Sequence, residues 1–220
     1  MKSLVLLSSG LDSTVNLYQA VRKTEVVTAL TFDYSQRAAK KELSCARGLA
    51  RKLGVPHKIV QLPFFQDFPQ SSLTNKSKKI PKGRELKIDH LKTSQKSAKS
   101  VWVPNRNGIF LNIAAGFAEA LGAQLIIPGF NIEEASTFPD NSSGFLKALD
   151  QGFAFSTSNH VKTHCYTTHL NKTQIVRLGE KLKVDWSLIW PCYHSGKKWC
   201  GECESCLRSL RAFQEAGVQC

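Results

Sequence analysis

"LVLLSSGLDST", Leu4–Thr14, decides how the rest of the chain is read. Four apolar residues, Leu4–Leu7, run into two serines, a glycine, an aspartate and a third serine. Four is fewer than the ~7–15 apolar residues of a secretory signal, and Asp12 follows too soon. The run reads instead as a short buried strand turning into a helix, and the protein is expected to be cytosolic. The loop between them has two readings: a small polar turn with a helix cap, or a phosphate cradle. For the second, Gly10 removes a side chain where backbone approaches a ligand. Ser8, Ser9 and Ser13 offer hydroxyls, and the free N–H groups of a helix start attract anions. Asp12 would cap the helix or hold a metal accompanying the phosphates. No Lys follows the glycine, as in a P-loop, and no G-x-G is present, as in a dinucleotide fingerprint.

Strand and helix signals alternate along the chain. Lys2–Leu7, Glu25–Phe32, His57–Leu62, Gln124–Pro128 and Val161–Thr167 read as strands. Asp12–Lys23, Gln36–Leu53, Arg106–Leu121, Phe145–Phe155, Asn171–Leu182 and a short stretch around Leu207–Glu215 read as helices. Gly54 and Pro56 stop the second helix, and Asn171 is a candidate N-cap. This alternation predicts an α/β fold with a doubly wound, mostly parallel five-stranded sheet. A chain of 220 residues suits one such domain, residues 1–185, with a small C-terminal appendage, residues 186–220. The 42% apolar content excludes global disorder. No apolar run approaches the ~18 residues of a membrane helix.

The formal charge is +13, unevenly spread. Lys76–Lys99 holds nine Lys/Arg against Glu85 and Asp89, so +9 − 2 = +7. This basic insert, residues 75–100, is either a mobile solvated loop or a binding surface for RNA. It lacks the interleaved aromatics that stack bases, so nucleic acid is not favoured.

Seven cysteines, four of them packed near the C-terminus, do not form a secreted disulfide pattern. Cys192, Cys200, Cys203 and Cys206 have the spacing C-x7-C-x2-C-x2-C. Four thiolates within 15 residues can close a tetrahedral zinc site, and Gly201 permits a tight turn. An iron–sulfur cluster or a redox dithiol are the rivals. Four cysteines leave no open position, so the zinc reading is structural, not catalytic. Cys45, Cys165 and Cys220 are expected to stay outside the cluster.

"SSGLDST" resembles the PP-loop S-G-G-x-D-S of the ATP pyrophosphatases, with Ser9 in place of the second-position glycine. Six further stretches are similar to the 7-cyano-7-deazaguanine synthase (QueC) family. They are "TFDYSQR" (Thr31–Arg37), "SSLT" (Ser71–Thr74), "VPNRNGIFLNIAAGFAEALGA" (Val103–Ala123), "GFNIEEASTFPDNSSGFLKAL" (Gly129–Leu149), "LNKTQIVRLGEKL" (Leu170–Leu182) and "CGECESCLRSLRAF" (Cys200–Phe213). The likeness spans the chain but departs at Asn141–Ser142, where the family has Cys-Arg.

The resemblance implies an adenine nucleotide alpha hydrolase-like fold with a zinc knuckle. It implies ATP, Mg2+ and Zn2+, and the conversion of 7-carboxy-7-deazaguanine and ammonia to the nitrile through an adenylated intermediate. Leu7, Ser8, Ser9, Gly10, Leu11, Ser13, Thr14, Phe32, Gln36, Arg37, Asn107 and Gly129 would build the nucleotide site. Asp12 would position Mg2+, while Arg106 and Lys172 offset developing negative charge. The residues agree in part: an arginine beside the positive end of a helix is slightly unfavourable, which points to function, and its fork grips phosphate or carboxylate. A homodimer with a small-molecule substrate and no membrane partner is expected. Another PP-loop adenylating enzyme acting on tRNA or another macromolecule, or a zinc-stabilised RNA-binding module, are the competing readings.

Overall fold

The computed structural model of the chain describes residues 1–68, 70–83, 86 and 97–219. Five strands form one sheet: β1 (Lys2–Leu6), β2 (Glu25–Asp33), β3 (His57–Gln61), β4 (Leu125–Ile127) and β5 (Lys162–Thr163). Their order is β3-β2-β1-β4-β5 and every neighbouring pair is parallel. β5 is shorter than the expected Val161–Thr167. Past His164 the backbone leaves the ladder, because the Tyr166 N–H donates to Asn16 Oδ1 at 2.9 Å.

Helices among the described residues include α1 (Leu11–Lys23), α2 (Ala39–Lys52), α3 (Arg106–Ala120), α4 (Ile132–Ala135), α5 (Ser143–Ser156), α6 (Lys172–Leu182) and α7 (Glu204–Ala216). They cover both faces of the sheet, and strand alternation assigns the faces. Leu4, Leu30 and Ile126 join α3 and α5 in one apolar core. Their neighbours Val5, Ala29 and Ile127 join α1, α2, α6 and α7 in the other. Leu4, Val5 and Ile127 are fully buried, and truncating Leu4 or Ile127 to alanine costs about 2–5 kcal/mol.

Two helices start three residues from where the sequence predicts. α2 begins at Ala39, not Gln36, because the Gln36 side chain donates back to the Phe32 carbonyl at 3.1 Å and Ser35 has φ +64°. α7 begins at Glu204, not Leu207, with Cys203 as its N-cap residue. The C-terminal segment packs on the sheet domain. α7 packs on α6, and the Trp190 N–H donates to the Ser9 carbonyl at 2.7 Å. Much of the basic insert, including residues 87–96, lies outside the described residues, as does Cys220.

Candidate active site

With β1 at the centre, the connections run one way to β2 and β3 and the other way to β4 and β5. The carboxyl ends of β1 and β4 therefore flank the switch point, where open α/β sheets bind ligands. A cavity of ≈ 240 Å³ opens there. The β1–α1 loop forms one wall. Its hydroxyls hold one another: Ser8 Oγ lies 3.0 Å from Ser13 Oγ, and Ser13 Oγ donates to the Gly10 carbonyl at 3.2 Å. Gly10 is the N-cap residue of α1, and no side chain caps that helix. The first N–H groups of α1 are thus left for a ligand.

Gly129, just past β4, is a glycine for a packing reason. A Cβ there would meet Ser13 N at 2.5 Å, so only glycine lets the β4 end approach the loop. Leu7, Ser8, Gly10, Leu11, Asp12 and Ser13 line the cavity, with Phe32, Gln36, Arg37, Arg106, Asn107, Gly129 and Lys172.

Ser9 and Thr14 do not line it. Ser9 has φ +60°, a left-handed conformation that favours glycine, and is fully buried. Its Oγ turns away from the cradle and donates to the Glu42 carbonyl at 3.2 Å. Thr14 is buried in the body of α1. Arg37 is committed elsewhere, since its guanidinium donates to the carbonyls of Ser72 at 2.8 Å and Asn75 at 2.9 Å. It thereby fastens the Ser71–Thr74 stretch to the start of α2. Phe32 stacks on Phe110 of α3, with centroids 4.1 Å apart.

Asp12 does not cap its helix. Its Oδ2 accepts from Lys172 Nζ at 2.9 Å, and the same Nζ lies 2.7 Å from Glu134 Oε1. Lys172 is 2% exposed. Burial opposes its charge, but Asp12 and Glu134 outweigh that and hold its pKa above the ordinary value. Burial pushes the Asp12 carboxyl up, against the pull of Lys172, while Lys172 holds Glu134 down against its own burial. Glu134 takes the shorter bond and the larger share of the cation. The triad counts +1 − 2 = −1, and the buried Asp12 Oδ1 has no hydrogen-bond partner. An excess negative charge with an open oxygen beside a phosphate loop suits a divalent cation.

The pairings within the site were not visible in the sequence. Arg106 Nη1 donates to the Tyr34 hydroxyl at 3.3 Å, with the guanidinium 5.9 Å from that ring. Arg208 and Glu204 of α7 line the cavity and bond to each other at 2.9 Å. Glu133 joins α7 to α6, accepting from Arg211 at 2.6 Å and from the Lys172 N–H at 2.8 Å. Of the four carboxyl groups that line the cavity, Asp12, Glu42, Glu134 and Glu204, only Glu42 on α2 has no ion pair among the described residues. Arg208 and Glu204 stand one helical turn apart, but Arg106 and Tyr34 are 72 residues apart and Glu133 and Arg211 are 78 apart, which a linear motif does not encode.

The sulfurs of Cys192, Cys200, Cys203 and Cys206 lie within 4.8 Å of one another. Tetrahedral zinc with ~2.3 Å bonds asks for sulfurs about 3.8 Å apart. The N–H groups of His194 and Cys200 donate to Cys192 Sγ at 3.4 Å, and that of Cys203 to Cys200 Sγ at 3.3 Å. Such bonds stabilise thiolates, so the donor set fits zinc. Cys45 and Cys165 lie outside the cluster. The knuckle also holds the described ends of the basic insert: the Gly83 N–H donates to the Glu202 carbonyl at 2.9 Å, and Ser97 Oγ to Glu204 Oε2 at 2.6 Å.

Sheet order, switch-point loop and buried lysine triad together define an α/β nucleotide-binding protein of the PP-loop class. The fold is shared with the NMN synthetase from Francisella tularensis (TM-score 0.50, 16% identity, covering 99% of this chain and 78% of that one). It is also shared with a 4-thiouridine synthetase solved as an RNA complex with bound ATP (TM-score 0.50, 17% identity, 98% of this chain and 50% of that one). Within that class, the family described as "Queuosine biosynthesis protein QueC" matches residues 2–217, and the chain belongs to it. A 7-cyano-7-deazaguanine synthase of Bdellovibrio bacteriovorus is 61% identical over 218 residues, covering 99% of this chain and 94% of the relative. Synthases of the same name from Desulforamulus reducens and Methanosarcina mazei are 46% and 41% identical, each over at least 99% of this chain and 96% of the relative. Among the described residues no helix is long and apolar enough to cross a membrane.

Proposed function

We propose that this chain is an ATP-dependent carbon–nitrogen ligase that converts 7-carboxy-7-deazaguanine and ammonia to 7-cyano-7-deazaguanine. The observation that carries the reading is the Asp12–Lys172–Glu134 triad beside the Ser8–Ser13 loop, in a chain of this family. The substrate carboxylate attacks the α-phosphorus of ATP, pyrophosphate leaves, and an acyl-adenylate forms. Ammonia then displaces AMP to give an amide. A second activation, with the amide oxygen leaving on the second AMP, gives the nitrile.

The chain's part is positioning and charge neutralisation. Ser8, Gly10 and Ser13 would cradle pyrophosphate, and Asp12 Oδ1 would hold Mg2+, which neutralises phosphate charge when bound. Lys172 would steady Asp12 and Glu134 while their surroundings change charge. Asn141 lines the cavity, and Ser142 caps α5 by accepting the Phe145 N–H at 3.1 Å. The cation missing at these two positions is supplied in this reading by Arg106 or Arg208, both at the cavity. Zn2+ at the four cysteines would be structural, fixing the first turn of α7. A homodimer working in the cytoplasm fits the small-molecule chemistry.

The test is incubation with 7-carboxy-7-deazaguanine, ammonium and ATP, following pyrophosphate and detecting the nitrile by mass. Release of pyrophosphate with a product about 19 mass units below the carboxylic acid is expected, as about two oxygens and one hydrogen are exchanged for one nitrogen. ATP left intact with tight, salt-sensitive RNA binding would overturn the reading.

A further inference from the structure

Four carboxyl groups line the cavity: Asp12, Glu42, Glu134 and Glu204. Three are tied to cations, Asp12 and Glu134 to Lys172 and Glu204 to Arg208. A cation so placed engages its carboxylate and favours the charged form. Glu42 differs. Its Oε2 accepts from the Gln36 amide at 2.7 Å. Gln36 is fixed in turn, donating to the Phe32 carbonyl at 3.1 Å and accepting from the Tyr34 N–H at 2.9 Å. Glu42 has no ion pair, and no hydrogen bond to its Oε1, among the described residues. One oxygen is therefore oriented and the other is open to the cavity. The backbone places it beside the loop, since the Glu42 carbonyl receives the Ser9 hydroxyl at 3.2 Å.

Amide formation poses a proton problem, and a carboxylate with no cation on it and one unengaged oxygen is placed to solve it. Ammonia is present as ammonium at neutral pH, and ammonium has no lone pair with which to attack. We propose that Glu42 binds ammonium in the cavity and accepts its proton, generating the ammonia that attacks the acyl-adenylate. The step balances. One proton passes from ammonium to the Glu42 carboxylate. The freed lone pair forms the C–N bond, and the C–O bond to AMP breaks with its electrons going to AMP. A second proton leaves the nitrogen to water, and Glu42 returns its own proton to water. This rests on the ligase reading above. Burial pushes the Glu42 carboxyl up to about 7, suited to an acceptor at neutral pH. The titratable and charged groups that bear on it are Arg106 from α3, Asp33 and Tyr34 from the end of β2, and Cys45 one turn along α2.

Two reactions separate this role from nucleotide binding. Pyrophosphate exchange into ATP with 7-carboxy-7-deazaguanine reports adenylation and needs no ammonia, whereas amide and nitrile formation needs ammonium. The Glu42→Gln side chain is isosteric and still accepts from Gln36. In it, exchange is expected to persist within about threefold, while kcat/KM for ammonium at pH 7 falls about 100-fold. The loss should shrink as pH rises toward 9 and free ammonia accumulates. Glu42→Asp, which keeps the carboxyl but shortens its reach, is expected to lose about tenfold with wild-type pH dependence. Exchange falling in parallel with amide formation would mean that Glu42 holds the nucleotide or the base, and would overturn the proposal. An unmoved ammonium dependence would overturn it too. Wild-type protein with no exchange would overturn the ligase reading and this role with it.

Discussion

Two helices open onto the cavity with an acid in the first turn: α1 with Asp12 and α7 with Glu204. Both acids are buried, at 8% and 5% exposure, and each meets a basic side chain. They differ in what is left over. Glu204 Oε1 takes two Arg208 N–H groups at 3.1 and 2.9 Å, and its Oε2 takes the Ser97 hydroxyl at 2.6 Å. Asp12 Oδ1 takes nothing. A carboxylate with both oxygens engaged is a strut, while one with an open oxygen in a buried site is a ligand position. Burial and ion pairing are common to both groups, so neither marks the reactive one. Unfilled hydrogen-bonding capacity does.

The largest effect comes from dismantling the strut. Structural zinc in such knuckles binds with about 10–16 kcal/mol, and Cys203 is itself the N-cap residue of α7. Chelation is expected to melt α7, lower Tm by at least about 10 °C and remove Glu204 and Arg208 from the cavity. ATP binding at Ser8–Ser13 should persist within about tenfold, because the loop is held by its own hydroxyls. Circular dichroism and nucleotide titration before and after chelation check this. A chelated protein with unchanged Tm would refute a structural role for the knuckle.

Next come the two acids themselves. Asp12→Asn brings the lysine triad from −1 to neutral, so Tm should hold or rise, while turnover falls about 10³-fold. Glu204→Gln should do the reverse. It removes one carboxylate from Arg208, which keeps Glu133 at 3.5 Å. A loss of about 2 kcal/mol, or about 4–8 °C in Tm, is expected, with turnover down less than about tenfold. Thermal melts and kcat on the same preparations decide. Equal losses of turnover at unchanged Tm would abolish the distinction between strut and ligand position.

The asymmetry also explains what could be read before any coordinates. Lys2–Leu7 followed by Ser-Ser-Gly is a local pattern, and strand, turn and helix start follow from neighbours in sequence. Strand and helix positions were legible for the same reason, down to Asn171, whose side chain caps α6 and forms a capping box with Gln174. The four cysteines were legible because knuckle spacing is local. The roles of Glu134, Glu204 and Arg208 were not, because they depend on the distant partners Lys172, Ser97 and Glu133 that reach them once the sheet has folded. Ser97 and Glu204 stand 107 residues apart, and Asp12 and Lys172 stand 160 apart. Lys172 was reached through family likeness alone. On its face the residue is an ordinary lysine at a helix start, and its burial is a product of tertiary packing.

Ser9 gives the smallest effect and the sharpest reading of the loop. Its left-handed backbone costs a residue with a side chain about 1–2 kcal/mol. Ser9→Gly relieves that cost. It also frees the unfolded chain, at about 0.5–1 kcal/mol, and removes the hydroxyl bond to the Glu42 carbonyl, at about 0.5–1.5 kcal/mol. The contributions nearly cancel, so Tm is expected to stay within about 2 °C. Binding then discriminates between the two places the hydroxyl could serve. A hydroxyl donating to phosphate contributes about 1.5–3 kcal/mol, and its loss would weaken ATP binding roughly 10- to 100-fold. A hydroxyl facing α2 contributes nothing there. ATP affinity in Ser9→Gly is therefore expected within about twofold of wild type, since the side chain leaves the cradle to backbone, Ser8 and Ser13.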